Sequence, residues 1–146
     1  LGFRGRDERL QVAYWYRPDG RLGIILDNAA DGDFGRLGYQ TVYDWMRGSF
    51  YSCTRGSKKQ PNVCQLGDAI NPEVVVWSNE GVGTYTVPQG ATWQCNSLNQ
   101  CSPTVAGTQL AIGGSPLWFG SQANYDKLLV KQQASAAARA AVQALP

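Results

Sequence analysis

The 146-residue sequence predicts an α+β fold: β-rich, mainly antiparallel sheet or a small sandwich, with a short internal helix, a C-terminal Ala-rich helix and two local disulfides. Three observations carry this expectation. Short apolar runs alternate with period 2 and are broken by Gly, Pro and Asn turns. One segment near residue 40 has helical spacing. The last twenty residues are almost free of Gly and Pro and rich in Ala, the best helix former. A chain of this length makes one core of ordinary size. We divide it into a disulfide-stabilised β-rich domain, 1–123, and a helix, 124–146, packed on that domain or on a partner.

The first element is a hairpin. Leu10, Val12, Tyr14 and Tyr16 alternate with Gln11, Ala13 and Trp15, and Arg17-Pro18-Asp19-Gly20 supplies turn chemistry. The return strand is 21–27, with Leu22, Ile24, Ile25 and Leu26 available for the core. A loop, 27–38, follows. Tyr39, Val42, Tyr43 and Met46 then fall on one helical face and Gly48 stands at a helix stop, although Val42, Tyr43 and Trp45 also suit a strand. Strands are expected at 49–54, 73–77, 83–87, 91–96 and 104–112. From Asn124 to Ala144 the spacing gives a helix with Leu129, Val130, Ala134, Ala137, Ala141 and Ala144 on one face. Lys127, Lys131, Ser135 and Arg139 run along the other.

The four cysteines form two local pairs, Cys53 with Cys64 and Cys95 with Cys101. Four cysteines allow three connectivities; the sequential one is simplest, because both intervening segments read as loops. Neither spacing is that of a zinc or redox C-x-x-C motif. Disulfides place the chain in an oxidising compartment, secreted, periplasmic or at the cell surface. The chain begins at Leu1, as expected of a processed product, and no apolar run is long enough to span a membrane.

Composition narrows the chemistry. The sequence contains no histidine, which excludes Ser-His-Asp and Cys-His nucleophilic sites, histidine-ligated zinc and imidazole pH switches. Charge is unevenly spread: residues 60–126 hold no Lys or Arg and only the acids Asp68, Glu73, Glu80 and Asp126. A net charge of +2 is too small to point to nucleic acid. There is no G-x-S-x-G, no S-x-x-K and no phosphate-binding glycine fingerprint. Asp27-Asn28-Ala29-Ala30-Asp31-Gly32-Asp33 follows part of a calcium-loop spacing. It has Ala29 and Gly38 where oxygen ligands are needed, so it reads as a polar turn and no metal or cofactor is expected.

Two features stand out as binding candidates. Arg55, Lys58 and Lys59 lie on the segment closed by the first cysteine pair, where three cations can engage an anionic surface. Of the five tryptophans, Trp15 and Trp93 have polar neighbours suited to an exposed stacking surface. Together these indicate a non-enzymatic extracytoplasmic interaction domain for a protein or glycan partner, of adhesin, inhibitor or surface-filament type. Two alternatives remain. One is a small secreted glycan hydrolase using carboxylates from among Asp44, Asp68, Glu73 and Glu80. The other is a filament subunit that self-associates through 124–146.

Overall fold

A computed structural model describes residues 15–16, 22–24, 36–79 and 83–145. Its centre is a six-stranded sheet in which all neighbours are antiparallel, ordered β3-β4-β5-β10-β7-β8. The strands are β3 (Ser52–Thr54), β4 (Asn62–Gln65), β5 (Glu73–Trp77), β7 (Trp93–Asn96), β8 (Cys101–Pro103) and β10 (Leu117–Gly120). One face carries the helices α1 (Arg36–Met46) and α2 (Gln122–Gln143). The other carries a two-stranded ribbon of β6 (Thr84–Thr86) and β9 (Gln109–Ala111). A further pair, β1 (Trp15–Tyr16) with β2 (Leu22–Ile24), realises the described part of the N-terminal hairpin. The rest of that hairpin, the calcium-like loop from Asp27 to Asp33 and Glu80 lie outside the described residues.

Alternation along the sheet sorts its side chains into two cores. Val75 and Trp118 face the helices and join Val42, Trp45, Met46 and Leu128, together with Cys64 and Cys95. Val74, Val76 and Phe119 face the ribbon and join Val87, Ala91 and Ile112. β5 and β10 are therefore buried on both faces, which suits the β-branched run Val74-Val75-Val76.

Both predicted disulfides are formed, and their placement follows one rule. Cys53–Cys64 joins β3 to β4 and Cys95–Cys101 joins β8 to β7, each between residues directly opposite in the ladder. Each thus fastens one edge strand of the sheet to its inner neighbour. By loop-closure entropy, rings of this size stabilise by about 2–3 kcal/mol at most.

Several expectations need adjustment. The segments between the paired cysteines are loops, as expected, but the strands that follow them, β4 and β8, were not among the expected elements and make each a hairpin. The strand expected at 104–112 is confined to β9, since Gly107 takes a left-handed φ of 87° within a turn. The 83–87 strand, seen as β6, pairs with β9, so β5 and β6 lie in different layers. The internal helix begins at Arg36, inside the segment read as loop, and is followed by Gly48 at φ 74°. The central strand β10 was not among the expected elements.

The tail is helical as expected, but it docks by a different face. Leu129 and Val130 are 39% and 65% exposed, and the contact side is Asn124, Leu128, Lys131 and Ser135. The reason is polar: the body offers Leu128 an apolar slot, and beside it stand carbonyls and a carboxylate that require donors. Ser121 caps the helix N-terminus, its Oγ accepting from the Asn124 amide at 3.2 Å. Asn124 Nδ2 donates to the carbonyls of Asn71 and Pro72 at 2.6 and 3.3 Å, fixing the start of α2 to the chain entering β5.

Gly120 ends β10 under the ring of Trp118, where a Cβ would lie 2.3 Å from the indole carbons. Trp118 is fully buried and has nowhere to retreat. Gly120→Ala is therefore expected to lower stability by about 2–3 kcal/mol, measured by urea denaturation, through overpacking. An unchanged midpoint would show that the ring can move.

Candidate functional site

The tip of the β3–β4 hairpin gathers three of the predicted binding residues. Its base is the Cys53–Cys64 bond. Above it the Ser57 amide donates to the Gln60 carbonyl at 2.8 Å, and the Gly56 amide donates to Asn62 Oδ1, also at 2.8 Å. Asn62 is buried on β4 and its Nδ2 donates to the Trp77 carbonyl at 3.4 Å, so the tip is tied to the sheet interior. Gly56 is required: a Cβ there would meet the Gln60 carbonyl oxygen at 2.0 Å. This closes the turn and holds Lys58 and Lys59 at its apex. Arg55, Lys58 and Lys59 are all exposed, and among the described residues none forms an ion pair. Phe50, fully exposed, and half-exposed Tyr51 precede β3 on the same hairpin.

Trp93 lies elsewhere. It is on β7, four strands from β3, or about 19 Å at the usual strand spacing. Its ring is half-buried and stacks on Tyr125 at 4.2 Å with the planes 12° apart, and its Nε1 donates to Gln122 Oε1 at 2.7 Å. Trp15 is in β1, and its side chain lies outside the described residues. The tip cations and Trp93 do not form one site.

Two buried acids went unread as structural groups. Glu73, at the end of β5, accepts a hydrogen bond from Trp118 Nε1 at 3.0 Å. Burial raises its pKa above the ordinary carboxylate value; the Trp118 bond and the positive charges of Lys131 and Lys127 oppose that rise. Asp44, on α1, accepts from Arg47 Nε at 3.2 Å and from the Ser135 hydroxyl. Arg47 also donates to the Lys131 carbonyl at 2.8 Å. Lys131 Nζ in turn donates to the carbonyls of Trp45 and Arg47 at 3.3 and 3.1 Å, satisfying the end of α1 from α2. Burial lowers the Lys131 pKa, countered by Glu73 and Asp44. The two helices are thus joined by a polar clasp.

Two concavities adjoin these groups. One, of about 360 Å³, runs between the helices and is lined by Leu37, Gln40, Asp44, Gln132 and Arg139. The other, of about 290 Å³, is lined by Asp68, Glu73, Tyr85 and Gln89. It touches two of the acids eligible for glycan hydrolysis. Their carboxylates are engaged separately, however: Asp68 Oδ1 accepts from the amides of Ile70 and Asn71 at 3.0 and 2.8 Å, and Glu73 turns to Trp118 on the helix face. Asp126, the remaining described acid, accepts from Gln122. Among the described residues no cluster of acids and cysteines is arranged to hold a metal ion, and no helix is long and apolar enough to cross a membrane.

Comparison with protein-family models, with curated proteins and with solved structures finds no match to this chain.

The raised pKa of Glu73 sets a pH dependence. Its native state holds the proton more tightly than the unfolded chain. The resulting stability is complete below pH 4.5 and is lost as pH rises through the native value. Glu73→Gln keeps an acceptor for Trp118 and removes this loss. Its stability relative to the native protein is expected to increase between pH 4 and pH 7 in urea titrations. A difference independent of pH would contradict the assignment.

Proposed function

We propose that this chain is an extracytoplasmic, non-enzymatic interaction domain that recognises an acidic protein or glycan partner through the β3–β4 tip. The observation that carries the reading is the group of three exposed cations, unpaired among the described residues, on a hairpin closed by a disulfide and braced by Asn62. A braced tip presents charge with little ordering to be lost on binding, which favours affinity over that of the same residues on a loose loop. The surrounding surface supports the role, since residues 60–126 contribute no Lys or Arg that would spread positive charge elsewhere on the sheet. Two formed disulfides support an oxidising compartment. The four described acids are each taken up in hydrogen bonds of the fold, which weighs for binding over carboxylate catalysis.

Polyglutamate and a sulfated oligosaccharide serve as probes of the acidic-partner reading at low ionic strength. The triple variant R55Q/K58Q/K59Q is expected to weaken binding of at least one probe by tenfold or more. K127Q/R139Q, which removes exposed charge from α2, is expected to change it less than threefold. Equal losses in the two variants would reduce the effect to net charge and overturn the reading.

A further inference from the structure

The two edges of the central sheet differ in a way that hydrogen-bond parity makes explicit. In an antiparallel pair, residues alternate between exchanging backbone bonds with each other and turning their N–H and C=O groups away. At the two ends of the β7–β8 pairing the Asn96 amide donates to the Gln100 carbonyl at 3.0 Å and the Thr104 amide to the Thr92 carbonyl at 2.9 Å. Both pairs are bonded, so the intervening Cys95–Cys101 and Trp93–Pro103 pairs are of the other kind. Their Cα spacing at the disulfide, 4.1 Å, agrees. Cys101 and Pro103 therefore direct their backbone outward, and Pro103 has no N–H to offer. This edge is blunted in the manner expected of a protected sheet.

The β3 edge is different. The Leu66 amide donates to the Glu73 carbonyl at 2.8 Å, so alternation makes Cys64–Val75 a bonded pair and turns the Cys64 backbone toward β5. Cys53, opposite Cys64 at a Cα spacing of 4.0 Å, accordingly turns its own N–H and C=O away from β4. The same parity applies to Tyr51 and Arg55. Ser52, Cys53 and Thr54 are exposed, no proline interrupts the run, and among the described residues β3 pairs only with β4. Phe50 and Tyr51 flank one end of this edge, and Arg55, Lys58 and Lys59 the other.

We propose that the outer edge of β3, residues 51–55, is a strand-addition site for an extended acidic segment of a partner protein. Backbone groups of Tyr51, Cys53 and Arg55 pair with the incoming strand, the tip cations meet its carboxylates, and Phe50 and Tyr51 cover its apolar positions. The disulfide holds β3 against β4, so that the edge is preformed. This inference rests on the acidic-partner reading of the tip and narrows it to a protein and to one mode of binding.

The probe is a synthetic alternating peptide, (Val-Glu)4, with octaglutamate and a sulfated oligosaccharide as non-strand controls. Tyr51→Pro removes an outward N–H without touching the bonds to β4, and Tyr51→Ala controls for the lost ring. Binding followed by amide NMR is expected to shift the resonances of 51–55 and to slow exchange at the Cys53 amide. Tyr51→Pro is expected to weaken the peptide tenfold or more and Tyr51→Ala less than threefold, with folding checked by an unchanged spectrum for β5 and β10. If the controls bind as well as (Val-Glu)4 and Tyr51→Pro has no effect, strand addition is overturned and the acidic-partner reading survives. Absence of binding by all three probes overturns both.

Discussion

Strand β10 has a partner on each side and a packed layer on each face, and most of the structure is arranged by that enclosure. Its four residues exchange ladder bonds with β5 and with β7. Trp118 reaches the helices, Phe119 the ribbon, and both are fully buried. Glu73 supplies an acceptor for the Trp118 indole N–H across the adjacent strand, removing the cost of burying that donor unpaired. Gly120 lets the backbone close over the ring. From there the chain passes directly into the Ser121 cap, so α2 is positioned by the same strand that it helps to cover.

The elements that local pattern specifies were legible in the sequence. Glu73–Trp77 is a β-branched run with boundaries read correctly, and the cysteine pairing is local. The helix ahead of Gly48 forms as its spacing predicts, although Tyr43 of that face is exposed and Trp45 is buried beside Val42 and Met46. β10 was hidden for a physical reason. Leu117-Trp118-Phe119-Gly120 is short, lies just after Pro116 and two glycines, and shows no alternation because both its faces are buried. The face of α2 was misread because alanine lines much of the helix. Lys131 and Ser135, polar in sequence, are drawn inward by carbonyls and a carboxylate that only the tertiary arrangement brings near them.

The candidate site divides along the same line. Arg55, Lys58 and Lys59 were legible because a cysteine pair placed them on one closed segment. Trp93 was selected for its polar neighbours, whereas its ring is engaged by Tyr125 and Gln122 from α2. The edge of β3, unpaired among the described residues, depends on sheet order and hydrogen-bond parity, both non-local, and no local motif announces either. Disulfides at both edges and proline at only one give the sheet, among the described residues, a protected side and an open side.

The enclosure of β10 is most directly tested by native-state hydrogen exchange resolved to single amides. The amides of Val75, Trp118 and Phe119 are expected to exchange slowest, with a common free energy equal to that of global unfolding, because they open only when both cores are lost. Amides of the exposed distal turns of α2, beyond Ala136, are expected to exchange far faster through local fraying. Protection in β10 equal to or weaker than that of β3 or β8 would contradict the account, since stability would then reside at the stapled edges.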